Sequence, residues 1–170
     1  MSPKALSRIK YTLYAAIILL AYLLEDAAFS PLNILWTPLI MPIAVCAIGL
    51  CEDQDKGGIY GLAAGLLWAI STDFNMYGAW RILALTVTGV ASGMLSQRYL
   101  LKGLKTLIFL SIPALTLSDG VYVLFRSIGG SLPPMALFTL FVPQCLISLV
   151  FCLVIYPMTG YVSRIGGFHG

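Results

Sequence analysis

The chain has 170 residues, of which 59% are hydrophobic and 10% charged, with a formal net charge of +3. Soluble domains carry roughly 25% charged residues, so this composition cannot coat a water-soluble body, and lipid is the expected solvent. A span needs roughly 20 apolar residues to cross a bilayer core about 30 Å thick. Six such spans leave only short loops, and any chemistry must then lie within the bundle or in the holding of partners.

In chain order, the tail Met1–Lys10, with Lys4, Arg8 and Lys10, precedes an apolar run from Tyr11 to Leu24 that ends at Glu25-Asp26. A basic segment before an apolar one also fits a secretory signal. The lack of a small-x-small cleavage site and the later apolar runs favour a retained first span. The second run, residues 34–50, contains Pro38 and Pro42, and the polar loop Cys51–Lys56 follows. The third covers 58–75, closing on a turn with Asn75 and Gly78, and the fourth covers 80–96 before the basic loop Gln97–Lys105. The fifth covers 106–125, with Pro113 inside and Asp119 near its end. A Gly- and Pro-rich connection leads to the sixth, 135–157. The expected fold is an all-α polytopic membrane helix bundle of six spans, forming a single integral membrane domain over residues 1–170. Lys4, Arg8, Lys10, Lys56, Arg98, Lys102, Lys105 and Arg164 fall on one side and only Arg81 and Arg126 on the other. The positive-inside rule then puts both termini in the cytoplasm.

Glycines 57, 61 and 65 repeat every fourth residue in the third span, and Gly89 and Gly93 do so in the fourth, beside Ser92 and Ser96. Small residues at this spacing let helix backbones approach closely in lipid. The stripe serves either to pack spans three and four together or to dock a partner protein. Asp119 lies about 21 Å along its helix from Lys105, at 1.5 Å per residue. An ionisable group at that depth is a functional candidate by default, and a wet helix end is the alternative. Asp73, Arg81 and Asp119 form a possible outer polar site. Glu25, Asp26 and Asp73 fall on the same outer side as Asp119 and are expected as solvated loop positions, with an acidic rim for a cation or a basic partner segment as the alternative. Arg98, Lys102 and Lys105 form a cytoplasmic basic loop suited to anionic lipid or a cytoplasmic partner.

Enzymatic chemistry is disfavoured. The single histidine, His169, is in the terminal tail, which takes His-based catalytic and metal sites out of the bundle. No Gly-rich phosphate loop with a lysine occurs. Cys46, Cys51, Cys145 and Cys152 lack CxxC spacing and are expected to pack as small apolar residues. No catalytic residue, metal, cofactor or nucleic-acid partner is expected.

The run Trp36-Thr37-Pro38-Leu39-Ile40-Met41-Pro42-Ile43-Ala44-Val45 leads through a short polar loop to Gly57-Gly58-Ile59-Tyr60-Gly61-Leu62-Ala63-Ala64-Gly65-Leu66-Leu67-Trp68. A Gly78 turn follows, then a span with Gly89 and Gly93 ending in basic residues. Over about residues 30–105 this resembles the rod shape-determining protein MreD family. The resemblance implies a non-enzymatic subunit of the bacterial cell-wall elongation complex in the cell membrane, serving cell shape and peptidoglycan synthesis. It would associate with MreC and, through it, with MreB, RodA and a penicillin-binding transpeptidase. The chain departs from that family at Ala69, where an aspartate often follows the Gly-Leu-Leu step; the nearest acid here is Asp73. The family is similar in fold to the substrate-binding subunits of energy-coupling-factor vitamin transporters. That makes a vitamin binder the alternative, with a pocket expected among Trp36, Asp73, Arg81, Asp119 and Tyr122.

Overall fold

A computed structural model describes residues 3–29, 37–71, 76–98, 102–129, 133, 135 and 137–165. Among them the protein is all-helical. The elements are α1 (Pro3–Leu23) continuing into a π-helical turn (Leu24–Phe29), α2 (Met41–Cys51), α3 (Gln54–Ser71) and α4 (Met76–Arg98). Then come α5 (Leu104–Leu115), a second π-helical turn (Thr116–Gly120) and α6 (Val121–Ile128). A third such turn (Leu137–Phe141) opens α7 (Val142–Val150), and α8 (Cys152–Arg164) ends the bundle.

Among the described residues, three stretches are long and apolar enough to cross a membrane: Ala5–Asp26, Tyr77–Arg98 and Leu104–Ile128. Phe138–Val150 and Cys152–Arg164 together make a fourth, bent by 43°. At the bend, Phe151 N–H donates to Ser148 O at 3.0 Å and Val154 N–H to Phe151 O at 3.1 Å, tight three-residue steps that change the helix direction. The sixth expected span is thus broken, and it runs on past Pro157 to Arg164.

The second expected span differs most. Its helix has only 11 residues, about 16 Å at 1.5 Å per residue, which is too short to cross a bilayer alone. Every residue from Met41 to Leu50 is buried. A helix apolar on all faces belongs in a core, and α1, α3, α4, α5 and α8 all pack on α2. Around this axis Tyr14, Ile43, Ile48, Leu50, Leu85 and Leu107 fill the centre. The polar loop expected at Cys51–Lys56 shrinks to Glu52 and Asp53, because Gln54 already starts α3.

The outer surface is apolar. Ile59, Ile70, Phe109, Phe125, Leu146 and Val150 each show more than half their area. Such breadth of exposed hydrocarbon is a liability in water and is the expected surface of a helix bundle in lipid.

Candidate functional site

The first structural problem at the site is the start of α2. A helix N-terminus leaves amide N–H groups without intrahelical partners, and this one is buried. Pro42 removes one donor, and no side chain at Ile40 caps the helix. Other elements supply the cap. Glu25 Oε2, in the π-helical turn after α1, accepts from the Ile40 and Met41 amides at 3.0 Å each. Ser148 Oγ in α7 accepts from Leu39 N–H at 2.8 Å. A carboxylate here also meets the positive end of the α2 dipole.

Glu25 is therefore not a solvated loop residue, as the sequence suggested; it is 7% exposed. Its other oxygen, Oε1, takes a charged hydrogen bond from Arg81 Nη2 at 2.5 Å. The same nitrogen is 3.7 Å from Asp119 Oδ2. Asp119 sits in the second π-helical turn, where π geometry swings a side chain off the regular helical face. Tyr77 donates to its Oδ1 and Ser118 Oγ to its Oδ2 at 2.8 Å. The Trp68 ring lies under the Arg81 guanidinium, 4.0 Å from centroid to Cζ, and Trp68 meets Tyr77 edge-on at 5.1 Å.

Two carboxylates and one guanidinium are thus buried together, with a formal charge of −1. Arg81 Nε has no hydrogen-bond partner. Beside the cluster is a cavity of about 270 Å³, whose walls include Glu25, Trp68, Tyr77, Arg81, Asp119 and Gln144. Of the expected outer site, Arg81 and Asp119 meet, while Asp73 lies outside the described residues. So does Trp36 of the expected pocket, and Tyr122 faces a different groove. Glu25, read from the sequence as a rim or loop acid, joins this site, as do Trp68 and Tyr77, to which the sequence assigns no site role. Charge counting could have found Glu25: an arginine inside an apolar span needs an acid, and Glu25 is one of few candidates.

The glycines lie along the seam between helices. A Cβ on Gly57 would strike Gly89 O, and one on Gly61 would strike Leu85 O. At Gly65 it would come 2.5 Å from Ile82 Cα, and at Gly93 2.5 Å from Gln54 Cα. On Gly89 it would strike Gly57 O, and on Gly49 of α2 it would strike Ser92 Oγ. This face is occupied by the chain's own helices, so it is not a free docking surface for another protein. The exposed side of α3 presents Ile59, Leu62, Leu66 and Ile70 instead.

A second polar cluster closes the other end of α2. Ser96 Oγ donates to Leu50 O at 2.9 Å and Lys102 Nζ to Cys51 O at 2.8 Å, so both serve carbonyls at the negative end of the helix. Glu52, expected in a polar loop, is buried. It pairs with Lys10 at 2.6 Å and Lys56 at 3.0 Å and accepts from Tyr14 Oη at 2.8 Å. Burial pushes the Glu52 carboxyl up, but the Lys10, Tyr14 and Lys56 contacts outweigh it and leave its pKa below the ordinary value. Lys56 is driven the other way: burial lowers its pKa, and the Glu52 pairing overrides this and raises it. The expected basic-loop residues Arg98, Lys102 and Lys105 are all exposed, and Lys102 in addition serves the α2 carbonyl.

Among the described residues, no group of three or more His, Cys, Asp or Glu side chains is placed to hold a metal ion. The four cysteines are free thiols. In comparisons with known proteins, no family model matches the chain, and neither a curated protein nor a solved structure gives a significant match.

Proposed function

We propose that this protein is a non-enzymatic membrane subunit of the bacterial cell-wall elongation complex, similar in role to MreD. In this reading it crosses the plasma membrane six times with both termini in the cytoplasm and holds MreC and, through it, the wall synthases. The supporting observation is that the segment resembling MreD folds as one interlocked unit. In it α2 is buried on every side and α3 and α4 meet along glycine contacts. Such a unit is rigid, and it leaves the outer stripe Ile59, Leu62, Leu66 and Ile70 of α3 facing the membrane for lateral helix packing. A photocrosslinking residue at Ile59 or Ile70, in the native host, tests this. Capture of MreC or a wall synthase supports the reading. Capture of a transporter coupling subunit would sink it.

The cavity beside Arg81 favours a second reading, a small-molecule-binding transporter subunit. Convergent polar groups within an otherwise apolar wall are what such a site requires. Mass spectrometry of molecules released on denaturing the purified protein discriminates: a stoichiometric vitamin-sized compound supports the binder, and an empty protein argues against it.

A further inference from the structure

We infer that the groove between the start of α4 and α6 is a binding site for a phosphate-bearing anionic lipid. It rests on the membrane-spanning reading, not on the elongation-complex role. The groove has a volume of about 570 Å³ and is lined by Trp80, Leu83, Val121, Tyr122, Phe125 and Arg126. Tyr77 lines both this groove and the polar cavity.

Depth comes first. Lys105 and Arg126 lie in one helical stretch, Leu104–Ile128, 21 residues apart by number. At 1.5 Å per residue they are separated by about 32 Å, close to the roughly 30 Å of a bilayer core. Arg126 therefore sits at the lipid headgroup boundary, on the side away from Lys10. Trp80, Tyr77 and Tyr122 lie near that level, as interfacial aromatics do.

Polarity comes second. Leu83 lies deeper than Trp80 along α4, and Val121 deeper than Arg126 along α6, so the floor is apolar and the rim cationic. Phe125 is 68% exposed and Leu83 54%, so this floor is open to acyl chains. Charge comes third. Among the described residues Arg126 meets Tyr122: Nη1 donates to Oη at 3.3 Å, and the guanidinium is 5.7 Å from the ring. No carboxylate among the described residues pairs with it. A lipid phosphate is the anion available at this depth, and its acyl chains match the floor. A partner helix would have to carry its own acid to the same point.

Native mass spectrometry of the detergent-purified protein tests the assignment, with dioleoylphosphatidylglycerol and dioleoylphosphatidylcholine as probes. Their chains are identical, so the headgroup alone differs, anionic phosphoglycerol against zwitterionic phosphocholine. The wild type should retain phosphatidylglycerol about fivefold better, the contribution of one basic residue near anionic lipid. Arg126→Gln should lower retention to the phosphatidylcholine level, while Arg126→Lys keeps the preference. Leu83→Trp, which fills the groove, should shed both lipids. Equal retention of the two lipids by the wild type would overturn the proposal. So would undiminished phosphatidylglycerol binding in Arg126→Gln, or undiminished lipid binding in Leu83→Trp.

Discussion

Arg81→Met is the most direct probe of the buried polar cluster. Met keeps much of the arginine side-chain length and stays over the Trp68 ring, while the guanidinium disappears. Glu25 and Asp119, 7% exposed each, then face each other without their shared cation. Removing one partner of a buried ion pair costs about 3–5 kcal/mol, because an uncompensated charge stays behind. Glu25→Gln should cost less, about 1–3 kcal/mol. Its amide oxygen can still accept from the Ile40 and Met41 amides, and Arg81 keeps Asp119 at 3.7 Å. The triple variant Glu25→Gln, Arg81→Met, Asp119→Asn leaves no buried charge in this cluster, so it should be more stable than Arg81→Met alone. Equilibrium unfolding in mixed detergent micelles, followed by tryptophan fluorescence, measures all three against the wild type. An Arg81→Met protein within about 0.5 kcal/mol of the wild type, the range of ordinary surface changes, would refute the reasoning. A triple variant no better than Arg81→Met would refute it too, because the residual cost would then not be charge burial.

The glycine seam makes a paired prediction. Gly89→Ala drives a methyl into Gly57 O, where backbone must move, so it should cost about 1–3 kcal/mol, as overpacking does. Gly160→Ala, in α8 with nothing within 4 Å of its Cβ position, should instead stabilise by about 0.5–1 kcal/mol through helix propensity; thermal unfolding of the two variants reads both signs. The Glu52 cluster predicts an acid-sensitive end of the bundle. Because its pKa is lowered on folding, Glu52 contributes stability above its ordinary value near 4.3 and loses it as pH falls through the lowered folded value. Melting temperature should therefore drop on acidification below about pH 4, and Glu52→Gln should flatten that limb while lowering stability at neutral pH.

The sequence carried much of this architecture, for identifiable reasons. The apolar runs around Tyr11–Leu24, Trp80–Ser96 and Thr106–Phe125 became membrane-length helices because each is long and nearly free of charge. The four-residue glycine spacing could tell that two backbones meet but not whose they were. Only the three-dimensional placement of Gly57 against Gly89 shows that the partner is α4 itself. Arg81 and Asp119 could be paired by elimination, as rare charges at one end. Glu25 was harder, since an acid at the end of an apolar run normally faces water. Here Glu25 sits in a π-helical turn, which the apolar periodicity of the sequence does not signal.

The shortness of α2 explains why a strongly apolar run need not be a membrane-length span: among the described residues only three helices, or four with the bent pair, are long enough to cross. A helix must match the bilayer only where lipid surrounds it. Protein surrounds α2, so its length is free, but its exposed backbone ends must then be satisfied by protein groups. That requirement accounts for the polar residues at both ends of an otherwise apolar core. Glu25 and Ser148 take the amides at one end, and Ser96 and Lys102 serve the carbonyls at the other. Once Glu25 is buried as a cap, it needs a counter-charge, and Arg81 follows. Arg81, buried in turn with fork-shaped donors to fill, draws in Asp119. The charges at this end of the bundle thus follow from a short helix held away from lipid, whose buried amides need a carboxylate and whose carboxylate needs a cation.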